Sequence, residues 1–261
     1  MSSRRYCWVA SMSEKRMKPA IRFAGFTEEW DRRKLGEVAS FSKGRGYTKN
    51  DLTDSGTPII HYGRLYTKYE IVISKIDTYT HAKAESVYSQ GGEVIVPASG
   101  ETAEDISRAS VVEAAGVLLG GDLNIVYPNV GIDSVFLALS ISNGNQQREM
   151  AKRAQGKSVV HLHNVDLREV ILTYPKKPEQ IEVSTFFRSL DTLITLHQRK
   201  YDKLVCIKKA MLEKLFPRNG SCVPEIRFAG FTEAWERRKV GKLASETYGG
   251  GTPSTSRLDF W

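Results

Sequence analysis

The chain has 261 residues, 41% hydrophobic and 26% charged, enough for one well-packed core plus an extended element. Its formal net charge of +8 suits a polyanionic partner, and no apolar run approaches the roughly 20 residues that span a bilayer. Cys7, Cys206 and Cys222 share no metal-ligand spacing and leave one thiol over in any pairing, which fits reduced thiols in a cytoplasmic protein.

In chain order, residues 1–18 are basic, but the apolar patch around Trp8–Ala10 is too short for a signal-peptide core. Met12 or Met17 would serve equally as the start, so this stretch is expected to be a dispensable extension. Residues 19–176 are strand-rich: TPIIHYG, YEIVISKI, GGEVIVPAS and LNIVYPN are separated by Gly, Asn and Pro punctuation. Helical stretches are expected at Ser134–Ile141 and Gln146–Gln155, giving one α+β domain.

At Pro178 the character changes. Glu179 to Phe216 holds no Gly or Pro, and a helix is expected within 177–217. Apolar positions recur at Val183, Phe187, Leu190, Ile194, Tyr201, Leu204, Met211 and Leu215, with His197 and Lys208 completing an alternation of four- and three-residue steps. That is the 3.5-residue coiled-coil period, and at about 1.5 Å per residue the helix is roughly 57 Å long. Such a stripe must be buried on another helix, in this chain or a partner, unless the helix lies along its own domain as ordinary core.

The sequence then repeats itself. PAIRFAGFTEEWDRRKLGEVAS at 19–40 returns as PEIRFAGFTEAWERRKVGKLAS at 224–245, with 16 of 22 positions identical. Phe23, Phe26 and Trp30, with Phe228, Phe231 and Trp235 in the second copy, are expected to anchor a lead-in segment onto a domain. Residues 218–261 are thus expected to be the truncated start of a second, incomplete unit, with 246–261 lacking a core to fold around.

The order of IRFAGFTEEWDRRKLGEV, a strand-rich body, AQGKSVVHLHNVDLREVILTYP, a long helix from PEQIEVSTFFRSLDTLITLHQRK and then the lead-in again resembles the specificity subunit of type I restriction-modification systems. KGRGYTKNDL, IIHYGRLYTKYE, PASGETAEDIS and LGGDLNIVYPN resemble one variety of that family's target-recognition domain. The resemblance implies two recognition domains, each followed by a long helix, the helices packing antiparallel so that each domain reads half of a split site. Here there is one recognition domain (19–176), one spacer helix (177–217) and the start of another domain. It also implies methylation subunits as partners, restriction subunits as further ones, S-adenosylmethionine bound on the methylation subunit, no cofactor on this chain, and no catalysis by it. A homodimer through the helix would methylate an interrupted palindrome. The alternative is a shuffling-cassette remnant that acts only as a helix-mediated interaction protein.

Duplex DNA is held by Lys and Arg on phosphates and read at base edges by a few side chains. The densest basic–aromatic interleaving is Lys43, Arg45, Tyr47, Lys49, then Tyr62, Arg64, Tyr66, Lys68 and Tyr69. Arg45 lies between glycines in a loop expected to be flexible, and Arg64 is the leading candidate for a guanine contact through O6 and N7. Ser99, Gly100, Glu101 and Thr102 follow a strand and suit phosphates or a cytosine amine; Gln155, Lys157, Ser158 and His161 suit backbone phosphates. Each has a plainer reading: Tyr62, Tyr66 and Tyr69 as strand residues in the core, Glu101 and Thr102 as helix caps.

Enzyme motifs are missing. GKS at 156–158 lacks the glycine a phosphate loop needs at 151, where Ala151 stands, and Glu101, Glu104 and Asp105 suit a solvated helix start better than a metal-dependent nuclease.

Overall fold

The computed structural model describes residues 18–154, 159–244, 246 and 249–250. The chain divides into two compact units, Met1–Thr192 and Leu193–Trp261.

The first unit opens with β1 (Asp31–Lys34), the helical turn α1 (Leu35–Val38) and β2 (Ala39–Lys43). β3 (Leu52–Thr53), β4 (Thr57–Ile60), the turn α2 (Arg64–Thr67), β5 (Val72–Ile73) and β6 (Tyr79–Thr80) follow. Next come β7 (Val94–Pro97), β8 (Ser99–Gly100), β9 (Ser110–Val112), β10 (Leu118–Leu119) and β11 (Leu123–Pro128). α3 (Ser134–Ser142), α4 (Gly144–Arg153), β12 (Val160–His161), α5 (Asn164–Arg168) and β13 (Ile171–Tyr174) lead to the long helix α6 (Lys177–Leu215).

The central sheet runs β2-β11-β7-β9-β5, antiparallel except for the β9–β5 pair, and a second sheet runs β10-β4-β6-β3. β7 is buried on both faces, so it reads VIVP without alternation. Val94 and Val96 face one cluster with Val126, Leu137 and Ile141, while Ile95 faces another with Ile60, Leu123 and Ile125. Asp133 caps α3 by accepting from the Phe136 amide at 2.9 Å. Mixed helix and strand, a strand-rich body and a long helix are the architecture expected from the sequence.

α6 starts one residue before Pro178, whose missing N–H costs nothing in a first turn. That first turn is tied to the body. Gln180 donates to the Pro175 and Gly131 carbonyls and accepts from the Asp133 amide, all within 3.1 Å. Glu179 receives the Nε and Nη2 of Arg22 at 2.6 Å each and the Trp30 indole N–H at 3.3 Å. Phe23 meets Phe186 edge-on, and Trp30 meets Phe136 likewise. β1 pairs antiparallel with β13, while Leu35 and Val38 enter the core. The first copy of the repeat is therefore clasped by the domain it leads into.

Further along α6, Phe187, Leu190, Ile194, Tyr201, Leu204 and Met211 are exposed; Val183 and Leu215 are half-buried. In the second unit, the repeat follows α6 with a lighter set of contacts. Trp235 lies edge-on to Phe216 and donates its backbone N–H to the Cys222 carbonyl, and Lys214 pairs with Glu225. Val240–Lys242 is a single 3₁₀ turn with no buried residue.

Candidate nucleic-acid interface

The close pairing of β8 with β12, Gly100 opposite Val160 and Ser99 opposite His161, sets one wall of a surface cleft of about 580 Å³. Lys49, Tyr62, Tyr66, Ser99, Gly100 and Glu101, each expected from the sequence to contact DNA, line it together. They come from three separate segments. The Tyr62 and Tyr66 rings meet edge-on at 6.3 Å, Tyr62 standing in the turn that leads into α2 and Tyr66 within it.

Four further residues line it: Thr67, Arg108 and Val159, which the sequence did not single out, and Asp105, weighed there only as part of a solvated helix start. Arg108 pairs with Asp105 at 2.7 Å and lies about 6 Å from the Tyr66 and Tyr69 ring centres. Burial, reinforced by the Asp105 charge and opposed by Arg108, pushes the Tyr66 phenol far up, so its hydroxyl stays a donor to the Ser99 carbonyl at 2.8 Å. Gly100 lets the two approach closely: a Cβ at that position would stand 2.7 Å from the Tyr66 hydroxyl and displace it. Glu101 is exposed and makes no ion pair or hydrogen bond among the described residues. The cleft thus offers an acceptor (Glu101), cations (Lys49 and Arg108), aromatic faces and the Thr67 hydroxyl.

Arg64 is elsewhere. The residue favoured from the sequence for guanine is 9% exposed, with Nη1 on Asp77 and Nη2 on Glu70 and the Lys75 carbonyl, each at 2.7 Å. It closes the loop between α2 and β6, with both terminal nitrogens engaged and Nε buried out of reach of the cleft; IIHYGRLY reads as a strand running into a loop, whereas HYGRLYTK folds into a helical turn. Lys68 joins the same Asp77, whose carboxyl falls to about 2, chiefly through the Lys68 hydrogen bond and also through Arg64.

Tyr47 is also buried, bonded to Ser86 and the Lys83 amide beneath the Lys83 ammonium. The Arg45 loop is pinned rather than flexible: Gly44 N–H donates to Leu123 and Arg45 N–H to Leu119. A Cβ on Gly44 would fall 1.9 Å from the Gly120 carbonyl. The Arg45 side chain itself is exposed and paired with Glu85 at 2.7 Å. Thr102 stabilises the turn into Asp105–Ser107 by accepting from the Asp105 amide, the capping role. Lys43 is exposed at the end of β2, and His161 stacks on His163 beyond the lining residues. Gln155, Lys157 and Ser158 lie outside the described residues.

The family described as "Type I restriction modification DNA specificity domain" matches residues 27–205, from the lead-in into α6. The chain belongs to that family. Two solved structures share its fold at TM-score 0.51 and 16% identity. One, a study of complex assembly and conformational transition of the type I R-M system, aligns over 74% of this chain and 47% of its own. The other, the type I restriction-modification S subunit from M. genitalium, aligns over 72% and 46%. This specificity-domain chain therefore spans about half the length of those structures. No curated protein matches it.

Proposed function

We propose that the chain reads one half of a bipartite duplex target through the cleft between α2, β8 and the Asp105–Arg108 segment, and supplies no catalysis itself. The observation that carries this is the convergence of six expected DNA-contact residues from separate segments on one cleft in a specificity-domain chain. Glu101 accepts from a cytosine amine, Arg108 turns from Asp105 to a guanine edge, and Tyr62 and Tyr66 supply apolar contact. Lys43, Arg45, Lys49, Lys68 and His161 hold phosphates and fix register. Arg64 and Tyr47 are assigned to the frame that positions the cleft.

The exposed Phe187–Met211 stripe docks helical partners: methylation subunits, the seat of S-adenosylmethionine, and a second copy of this chain. Among the described residues no helix is long and apolar enough to cross a membrane, and the reading places the complex in the cytoplasm with the DNA.

Methylome sequencing of cells producing the chain with its methylation subunit tests the whole reading. A split motif, palindromic if two copies assemble, supports it; no methylated motif returns the chain to the interaction-remnant reading. Arg108→Ala and Glu101→Gln are expected to cost about 1–3 kcal/mol each at the cognate site and to relax the motif at one position. Lys49→Ala weakens all sequences alike and flattens the salt dependence. If Arg108→Ala and Glu101→Gln keep wild-type affinity and motif, the cleft is not the reading site.

A further inference from the structure

The repeat gives the chain two near-identical segments and shows, for one of them, what it binds. The first copy is held by a receptor made of the Glu179 carboxylate, the Phe136 and Phe186 rings and the open edge of β13. The residues that touch it are Arg22, Phe23, Trp30 and the strand Asp31–Lys34. The second copy repeats them as Arg227, Phe228, Trp235 and Glu236–Lys239, changing only Asp31 to Glu236.

In the second copy most of those residues are left with unused capacity. Phe228 is 73% exposed, Glu236–Lys239 forms no strand, and among the described residues Arg227 has no carboxylate partner such as Glu179 gives Arg22, while the Trp235 ring rests on Phe216. Val240 and Leu243 are 73% and 67% exposed where their counterparts Leu35 and Val38 lie in the core.

We propose that the second copy is a spare ligand for the first copy's receptor and docks on a second copy of this chain, exchanging with that chain's own lead-in. The charges match, since Arg227 meets the same Glu179, and the strand pairs β13 in the register Arg237 opposite Thr173, as Arg32 does now. The two segments present the same contacts, so the balance is set by connectivity. The resident segment competes at an effective concentration on the order of millimolar, so at roughly 10 µM protein about one receptor in a hundred carries the exchanged segment. Weakening the resident copy or concentrating the chain raises that share, a segment exchange between identical protomers.

Site-directed disulfide trapping tests this on the full chain, with Cys7, Cys206 and Cys222 replaced by Ser. One tagged chain carries Arg237→Cys and a differently tagged chain carries Thr173→Cys. Opposed Cα atoms in an antiparallel pair lie about 4.5–5.5 Å apart, within disulfide reach. The expected product is a disulfide-linked pair bearing both tags, its yield rising with protein concentration. The yield increases about ten-fold or more when the Thr173→Cys chain also carries Arg22→Ala and Trp30→Ala, and falls to background when the Arg237→Cys chain carries Arg227→Ala and Trp235→Ala. Association through α6 alone would leave the link insensitive to Arg227 and Trp235. The proposal is overturned by no mixed-tag product at high concentration, by a product indifferent to Arg227→Ala and Trp235→Ala, or by a link that forms only within a chain carrying both cysteines. If the Arg22→Ala, Trp30→Ala chain does not fold, the concentration series with the intact lead-in still decides.

Discussion

Two stretches of this chain share 16 of 22 residues and end in different states. In the first, Leu35 is 1% exposed and Trp30 bonds a buried carboxylate; in the second, Val240 is 73% exposed and Trp235 rests on a neighbouring Phe216. The difference lies in what each segment meets: β13, Glu179 and Phe136 turn a sequence with little strand character, DRRK, into strand β1. Local propensity is weak, and tertiary contact decides. A short segment of this composition behaves as a ligand that takes on structure where a receptor presents itself.

The largest expected effect that sharpens this contrast is at its apolar end. Leu35→Ala should cost about 2–4 kcal/mol in denaturant unfolding, and Val240→Ala less than about 0.5. Equal costs would break the comparison. Next comes the clasp. Glu179→Ala strands Arg22, whose side chain is 13% exposed, together with the Trp30 indole N–H, and should cost about 3 kcal/mol. Glu225→Ala removes an exposed pair with Lys214 and should change stability by less than about 0.5 kcal/mol.

The same division between held and free recurs within the domain for arginines. Arg64→Ala should lower the unfolding free energy by about 2 kcal/mol, less than for a fully buried pair because Glu70 and Asp77 are partly solvated; Arg45→Ala should be near neutral. The smallest effect is in pH. The Asp77 carboxyl titrates at about 2 in the folded chain and at 3.8 unperturbed, so its contribution is present above about pH 4 and is lost as pH falls through about 2. The melting difference between wild type and Asp77→Asn should be constant above that window and shrink to nothing below it. A difference that persists at pH 2 would assign the stabilisation to something other than the charge.

Much of the scaffold was legible. The run without Gly or Pro after Pro178 marks α6, and VIVP and LNIVYP announce the buried central strands. The repeat itself pointed to anchoring by Phe23 and Trp30. The cleft was legible in part, through Tyr62, Tyr66 and the PASGE segment. Arg64 misled because its partners Glu70, Lys75 and Asp77 come to it only once the chain turns at α2, and sequence spacing of 6, 11 and 13 residues carries no periodic signal. Arg108 was passed over for a related reason. It directly follows the short 3₁₀ turn Asp105–Ser107 and has no basic neighbours, and its place beside Tyr66 and Tyr69 depends on the β9 region returning past α2.

Arg64 does not line the cleft, and that separates two kinds of variation. The residues that brace the α2 loop, Arg64 with Glu70 and Asp77, can stay constant while Tyr62, Thr67, Glu101 and Arg108 are exchanged around the opening. Such an arrangement is an interchangeable tool-head on a fixed shank: a library varied at those four positions alone should yield many folded proteins that differ in what they grip.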